Sequence, residues 1–346
     1  MINLKGLEQH ELESLVKEEG ESSYRGKQLF TWIYQKGVFN FQEMTNLSMS
    51  LREKFSSIWD IQEIRVIKTQ ISEERDTTKF LFQLSDGEMI EAVLMYFEDR
   101  LAVCLSTQVG CAFKCSFCAS GLKGWKRNLE PWEIVDQFLQ IQKREKDRIS
   151  NIVFMGIGEP LSNYDHTLKA IKILHDPIGT GIGMRHITIS TVGIVPMIKK
   201  LAEEGSPIRL AVSLHAPIDE LREKLLPIAK KYKIAELMDA CRYYQSKIRR
   251  RMSFEYTLIK GINDDLELAK KLASLLKGMI VHVNLIPLNP MSEFPYHAPD
   301  SKQVKAFQMT LEKFGIPVTV RQERGQDIQA ACGQLRLQVE KGKICA

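Results

Sequence analysis

The spacing of apolar residues divides the chain into three regions. Up to about residue 60, apolar residues recur at helical spacing, first over positions 12–16 and again from Lys27 to Tyr34. This pattern predicts a small N-terminal helical domain over residues 1–60. Amphipathic helices normally bury their aromatic residues, so we expect Phe30 and Trp32 in its core. The basic residues near Arg25 could also contact phosphate groups.

Residues 61–96 show the two-residue alternation of β-strands. Phe80, Phe82 and Leu84 share one parity, and a second run of the same kind begins at Met89. The dipeptide Asp86-Gly87 lies between the two runs, which is a strong signal for a hairpin. The region is therefore predicted to be a β-hairpin extension.

From residue 97 to residue 335, short apolar strands alternate with amphipathic segments of helical length, such as Pro131 to Lys146 and Asp264 to Leu276. This repetition predicts an α/β fold with a parallel sheet. The number of units fits an incomplete (β/α) barrel, whose active site would lie at the C-terminal ends of the strands. Residues 336–346 form a short tail. The predicted strands are Ala102 to Ser106, Asn151 to Met155, His186 to Ser190, Arg209 to Ser213, Ser253 to Leu258, His282 to Ile286 and Pro317 to Arg321.

Composition narrows the class of protein only a little. The 346 residues are 44% hydrophobic and 26% charged, which is ordinary for a globular protein, and the net charge of +5 mildly favours an anionic partner such as nucleic acid. The sequence shows neither a secretory signal nor an apolar run long enough for a bilayer. We therefore expect a cytoplasmic protein with no membrane contact, in which the seven cysteines are thiols, metal ligands or catalytic groups.

Three of those cysteines, Cys111, Cys115 and Cys118, follow the first predicted barrel strand with the spacing C-x3-C-x2-C. A 4Fe-4S cluster normally has four cysteine ligands. Three local cysteines leave one iron open, and S-adenosylmethionine (SAM) fills that position in radical SAM enzymes. The alternatives are a zinc site or chance clustering, but structural zinc usually has a fourth protein ligand and paired C-x2-C knuckles. The spacing and the position at a strand end favour the cluster.

Polar residues also follow the next strands. Gly158 and Glu159 come after one strand, where the carboxylate could pair with the SAM ammonium group, although a plain strand-to-helix turn is the alternative. For His215, the alternative is a buried histidine whose hydrogen bonds are satisfied within the protein, which is the commonest case. Several polar groups at neighbouring strand ends point to one binding site. The further candidates for SAM contacts are Ser190, Ser213, Leu214, His215 and Asn289.

The same stretches carry a resemblance to a known family. They include the Cys104–Cys111 segment, the cysteine cluster, and the Gly156-Ile157-Gly158-Glu159-Pro160 motif, and they extend over almost the whole chain. In these motifs the chain resembles the RlmN/Cfr family of radical SAM RNA methyltransferases. The remaining matching stretches are 127–129, 213–217, 284–287 and 327–335.

The resemblance implies a radical SAM enzyme that methylates carbon 2 of adenosine 2503 in 23S rRNA and adenosine 37 in some tRNAs. It implies one 4Fe-4S cluster per chain, two SAM molecules per turnover, a flavodoxin- or ferredoxin-like electron donor, and a monomer. Pro160 and Leu161 fit the carbon 2 branch. The alternatives are the Cfr branch, which methylates carbon 8, another radical SAM enzyme such as an activase, and a non-catalytic iron-sulfur RNA-binding protein.

The resemblance also assigns three catalytic roles. Cys332 is methylated first, and its methyl carbon then joins the adenine, so that protein and RNA are crosslinked. Cys104 releases the product by forming a disulfide with Cys332, and Glu91 accepts the ring proton. Without the resemblance, both cysteines would be interpreted as small buried apolar residues, and Glu91 as a solvated hairpin residue. Cys241 is expected in the core, and the basic run 247–251 is either a solvated face or a phosphate contact.

Overall fold

The computed structural model describes residues 1–321, 324–331 and 334. The N-terminal region is helical, as predicted, and Phe30 and Trp32 are buried in it, which confirms the expected core. The second helix does not continue regularly to Tyr34, because it widens into a π-helical turn over Thr31–Gln35. The elements are β1 (Ile2–Asn3), α1 (Gln9–Glu18), α2 (Tyr24–Phe30), α3 (Met49–Ile58) and β2 (Trp59–Asp60), with a short 3-10 helix at Phe41–Glu43.

Three antiparallel strands follow: β3 (Arg65–Ile71), β4 (Thr77–Gln83) and β5 (Met89–Tyr96). The predicted hairpin is the β4–β5 pair, and its connection contains Asp86 and Gly87. These strands are part of the main sheet, because β5 also pairs antiparallel with β6 (Leu101–Cys104).

The rest of the chain alternates strands and helices. A small antiparallel pair, β7 (Gln108–Gly110) and β8 (Trp125–Asn128), brackets the cysteine loop. In the described part of the chain, no helix has the length and apolar character needed to cross a membrane. The alternating elements are α4 (Pro131–Gln142), β9 (Ile149–Phe154), α5 (Tyr164–His175), β10 (Ile187–Thr191), α6 (Val195–Glu203), β11 (Arg209–Ser213), α7 (Asp219–Leu225), α8 (Ile234–Ile248), β12 (Met252–Leu258), α9 (Leu266–Leu276), β13 (Val281–Pro287), α10 (Ser301–Lys313) and β14 (Val318–Val320).

Ten strands of the described chain form one sheet in the order β14-β13-β12-β11-β10-β9-β6-β5-β4-β3. Within this sheet, every neighbouring pair from β6 to β14 is parallel. The parallel part is strongly curved, since Arg321 beyond β14 and Met155 beyond β9 lie within 4.0 Å of each other (Nη1 to Sδ). The predicted incomplete barrel is therefore confirmed.

The barrel strands have two different faces. On β12, Phe254 and Tyr256 point outward into the hydrophobic core beneath the helices, and Val283 and Leu285 do the same on β13. Because side chains alternate along a strand, the intervening residues face the barrel interior, and many of them are polar. The interior of the sheet is thus suited to bind a polar ligand.

The N-terminal unit is joined to the barrel through a buried ion pair. Lys5 Nζ lies 2.7 Å from Asp136 Oδ1 on α4, and both side chains are fully buried. Asp136 Oδ2 accepts a hydrogen bond of 2.7 Å from the backbone N–H of Ile64. One carboxylate therefore holds both the N-terminus and the segment that leads into β3.

The segment 324–331 lies against the turn between β3 and β4, against β4 and against the end of β5. Arg324 pairs with Asp76 at 3.3 Å, and Asp327 accepts a hydrogen bond of 2.8 Å from the backbone N–H of Glu73. Gln326 donates to Asn289 Oδ1 over 2.9 Å. Cys332 itself and the tail after residue 334 lie outside the described residues.

Candidate radical SAM site

One cavity opens at the C-terminal ends of the barrel strands. The structure brings eight of the predicted site residues to its wall, and Leu214 and Cys111 are not among them. Leu214 points its side chain into the core, and Cys111 lies in the cysteine loop without lining the cavity. The eight residues are Cys115, Cys118, Gly158, Glu159, Ser190, Ser213, His215 and Asn289.

The three thiols of the cysteine loop affect one another electrostatically. All three side chains are partly exposed. Burial, together with the charges of Cys118 and Glu159 and against a backbone hydrogen bond from Phe113, raises the pKa of Cys111 to about 12. Burial also raises the pKa of Cys115, with Cys118 and Cys111 adding to the effect. Neighbouring thiols that oppose each other's ionisation need a positive partner, which a metal centre provides.

Gly156 and Gly158 allow the turn after β9 to pack against the start of the cysteine loop. A Cβ on Gly156 would lie 2.7 Å from the backbone of Leu105, and one on Gly158 would lie 2.6 Å from Cβ of Gln108. Gly158 also has a φ of 104°, which L-residues with side chains rarely adopt. These glycines therefore allow two parts of the chain to pack closely against each other, rather than allowing the backbone to approach a ligand.

Glu159 connects the ends of two strands. Its Oε1 accepts from the backbone N–H of Leu161 at 3.0 Å, and its Oε2 accepts from that of Val192, after β10, at 2.8 Å. Burial raises the pKa of Glu159 to about 7, against these hydrogen bonds, which lower it. A cation at the cavity wall, such as an ammonium group, would favour the ionised form.

His215 is held in one orientation and one protonation state. Its Nδ1 accepts a hydrogen bond of 2.9 Å from the backbone N–H of Thr257, so the proton of the neutral ring is on Nε2. Burial, helped by the charge of Arg222, lowers the pKa of His215 to about 3. The backbone of His215 has a φ of 56°. Fully buried Asn263 donates a hydrogen bond of 2.8 Å to the carbonyl of His215. The ring is therefore a neutral donor to the cavity.

Arg222 on α7 is a structural residue of the site that the sequence reasoning missed. Its guanidinium donates to the carbonyls of Val192 at 2.6 Å, Leu214 at 3.2 Å and Ser213 at 3.3 Å. Burial lowers its pKa to about 10. One fully buried cation thus fixes the two loops that carry the predicted SAM contacts. The signal in the sequence was one arginine in a short helix, which is indistinguishable from a surface residue.

Two of the three predicted catalytic residues, Cys104 and Glu91, belong to a second region beside this cavity. Cys104 on β6 pairs across the sheet with Val93 on β5 and packs in one buried cluster with Ile328 and Ala330. Glu91 lies two residues before Val93, and therefore on the same face of β5. The structure thus brings Cys104 and Glu91 to the face covered by the segment that leads to Cys332.

Glu91 has a buried cationic neighbour that the sequence reasoning also missed. Nζ of Lys79 on β4 lies 3.6 Å from Glu91 Oε1, and the two side chains are 3% and 2% exposed. The same ammonium donates to the carbonyl of Gln329 at 3.4 Å. Burial lowers the pKa of Lys79, while the Glu91 carboxylate acts in the opposite direction. Lys79 therefore connects the predicted proton acceptor with the segment that precedes Cys332.

Exposed basic residues lie at the other ends of the parallel strands. Arg209 begins β11, and Arg250 and Arg251 come just before β12. Burial lowers the pKa of Arg209, and the charges of Arg251 and Arg250 lower it further, as expected of a like-charged cluster. This cluster is at the barrel end opposite the cavity, so it cannot contact the reacting atoms.

The donor set fits both groups that radical SAM chemistry requires. The three thiols suit a cluster with one iron open to another ligand. Glu159, the serine hydroxyls and neutral His215 can bind polar groups, while Phe117 and Leu288 in the same wall suit an aromatic base. The fold and this site define a radical SAM enzyme, and the Radical SAM superfamily pattern matches residues 105–273.

Comparison with known proteins identifies the family. The pattern of the ribosomal RNA large subunit methyltransferase N-terminal domain matches residues 2–61. The chain is 52% identical, over 97% of each sequence, to a probable dual-specificity RNA methyltransferase RlmN of Alkaliphilus oremlandii, and 49% identical over 97% of each to that of Clostridioides difficile. A radical SAM methyltransferase of Sphaerobacter thermophilus has the same fold, with a TM-score of 0.94, 43% identity and coverage of 97% of this chain and 99% of that one. The chain belongs to the RlmN family of radical SAM methyltransferases and uses a 4Fe-4S cluster and SAM.

Proposed function

We propose that the protein methylates carbon 2 of adenosine 2503 in 23S rRNA and of adenosine 37 in some tRNAs. The observation that carries this proposal is the common location of Cys104, Glu91 and the segment leading to Cys332, beside a cavity lined by Cys115 and Cys118. A radical SAM enzyme without a methylcysteine step has no need of this second region.

Carbon 2 of adenine is electron-poor, so direct attack on the SAM methyl group is implausible and a radical route is required. Cys111, Cys115 and Cys118 would hold the cluster, and Glu159 and the strand-end residues would hold SAM. When bound, the cluster and SAM supply the methyl group and the radical chemistry that activates it. The protein must then position the base and exclude water. The interior face of the curved sheet would do both.

The chain's own residues complete the reaction. Cys332 carries the methyl group and becomes linked to the adenine through that carbon. Glu91 accepts the proton from carbon 2. The Cys104 thiolate attacks the sulfur of Cys332, a disulfide forms as the carbon–sulfur bond breaks, and the bond electrons stay with carbon, which takes a proton to become the product methyl group. An external thiol reductant then restores both cysteines.

The proposal extends to the partners. The enzyme would act as a monomer in the cytoplasm, where its RNA substrates are, and receive electrons from a flavodoxin- or ferredoxin-like donor. Residues 1–60 would contact RNA, with the exposed Lys27 on α2 among the contacts. Residues 61–96 would support the methyl-carrying segment, and residues 97–335 would form the catalytic core, followed by the tail 336–346.

Substitution of the two cysteines tests the mechanism. Cys104→Ala should still add the methyl carbon to RNA but should stall as a covalent protein–RNA complex, because no thiol is left to attack the sulfur of Cys332. Cys332→Ala should keep its cluster and transfer no methyl group. Cys241→Ala is a matched control, since Cys241 is fully buried in the main core and belongs neither to the wall of the cavity nor to the cluster around Cys104.

Denaturing gel electrophoresis and mass spectrometry give the readouts. We expect a shifted band for Cys104→Ala alone and 2-methyladenosine for the wild type and for Cys241→Ala. Free turnover by Cys104→Ala, or a crosslink to a residue other than Cys332, would show that the assignment is wrong. Methylation of carbon 8 would instead identify the Cfr reaction.

A further inference from the structure

Glu255 is a buried carboxylate in the cavity to which the reasoning above gives no role. It lies in the middle of β12, where Ser213 of β11 and Asn284 of β13 are its direct neighbours across the sheet. Its flanking residues Phe254 and Tyr256 belong to the core outside the barrel. Glu255 therefore faces the barrel interior, and it lines the same cavity as Cys115, Cys118 and Glu159.

Within the described part of the chain, only one of its two carboxylate oxygens accepts a hydrogen bond. Oε1 accepts a hydrogen bond of 2.8 Å from Asn284 Nδ2. Oε2 is buried, and no donor among the described residues lies within hydrogen-bond distance of it, although the whole residue is only 3% exposed. Burial raises the pKa of Glu255, while the charge of Arg321 and the bond from Asn284 lower it. A buried acceptor of this kind is normally paired.

The position of Glu255 limits the donors that can reach it. Glu159 and the cysteines lie at the ends of β9 and the preceding loop, where the amino acid part of SAM is expected. Glu255 lies on β12, three strands further along the curved sheet, and shares its row with the Ser213 hydroxyl. If the amino acid part of SAM is bound there, its sugar and then its base extend away from the cysteines, toward the other strands that line the cavity. Carboxylates at barrel and sheet sites commonly bind the hydroxyl groups of a ribose.

We propose that Glu255 is a ligand-binding residue whose Oε2 accepts a hydrogen bond from a ribose hydroxyl group of a nucleoside in this cavity. Two nucleosides reach the site, namely SAM and the target adenosine of the RNA. The second source depends on the proposed function, whereas the first depends only on the class of enzyme. Asn284 then acts as a positioning residue, because it fixes the carboxylate with Oε2 turned toward the ligand.

Binding measurements on the cluster-loaded protein test the assignment without relying on turnover. Glu255→Gln keeps the size of the side chain and removes the charge. Ser253→Ala is the matched control, because Ser253 lies on the same face of β12 but does not line the cavity. Equilibrium dialysis with SAM, and filter binding with an RNA hairpin containing the target adenosine, form the two arms. Iron content and circular dichroism verify that both variants are folded and loaded.

If SAM is the partner, Glu255→Gln should bind SAM about tenfold to a hundredfold more weakly, the usual effect of losing a hydrogen bond to a charged group. Wild-type protein should lose a similar factor with a SAM analogue that lacks the bound hydroxyl group. If the RNA is the partner, the same two losses should be seen with the hairpin and with one 2′-deoxyadenosine at the target position.

Unchanged binding by Glu255→Gln in both arms would overturn the inference. The analogue experiment uses only wild-type protein and decides the question if the variant fails to fold, since equal binding of the deoxy ligands in both arms also overturns it. Normal SAM binding combined with no RNA methylation by the wild type would refute the proposed function and leave the SAM arm intact.

Discussion

Replacement of Lys79 by methionine should destabilise the protein strongly, because it breaks the buried ion pair between Lys79 and Glu91. The ion pair spans 3.6 Å between side chains that are 3% and 2% exposed. At that distance, Coulomb's law with an effective dielectric constant of about 20 gives an attraction of roughly 5 kcal/mol. Losing one partner of a buried pair typically costs about 3–5 kcal/mol, and we expect a loss in this range at pH 8.

A second substitution makes this prediction specific. Adding Glu91→Gln to Lys79→Met should restore most of the lost stability, since replacing both members of a buried pair is often neutral. Lys68→Met is the control, because Lys68 is an exposed lysine on the adjacent strand β3.

Urea unfolding of the anaerobic, cluster-loaded protein, followed by circular dichroism, gives the free energies of unfolding. The reasoning is refuted if Lys79→Met loses less than about 1 kcal/mol, the usual range for an exposed pair. It is also refuted if the double variant is as unstable as the single one, because the loss would then come from packing.

Three further predictions concern the cofactor site and the RNA. Cys115→Ala should abolish the cluster, whereas anaerobic reconstitution of the wild type should give about four irons per chain by metal analysis; zinc without iron in the wild type would contradict it. Charge reversal at Lys27 and Arg250 should weaken RNA binding and lower its salt dependence without affecting SAM cleavage, because phosphate contacts release counterions; binding that is independent of salt would count against this. Burial raises the pKa of Glu159 from 4.5 to about 7, so stability present at low pH should be lost as the pH rises through about 7, by up to roughly 3 kcal/mol. Glu159→Gln should flatten that part of the curve of thermal midpoint against pH, and an unchanged slope would show that other groups cause it.

The barrel strands could be predicted because each is an apolar run between polar turns. The strand Arg209–Ser213 has the predicted bounds, and the strand predicted to begin at Ala102 begins at Leu101. The predicted helix from Pro131 ends at Gln142, four residues early. Such local patterns carry no information about which edge of the sheet receives the antiparallel strands. The pairing of β5 with β6 is a long-range choice that only the folded chain shows.

The site was predictable where chemistry is concentrated in a short motif. The cysteine spacing and the strand-end polar residues are of this kind, and the structure places them around one cavity. Lys79, Arg222 and Glu255 were missed because each is a single charged residue in an ordinary strand or helix. Their importance depends on burial, and burial of a charge depends on neighbours that are distant in sequence.

The buried ion pair between Lys5 and Asp136 ties the N-terminal unit to the barrel. This contact helps to fix the distance between the outer surface of the N-terminal unit and the cavity when the chain folds. An RNA that contacts both the N-terminal unit and the cavity must bend to fit them. The free energy of that bending is part of the binding free energy. An RNA that places its target adenosine on a rigid stem is therefore expected to bind more weakly than a flexible RNA with the same bases.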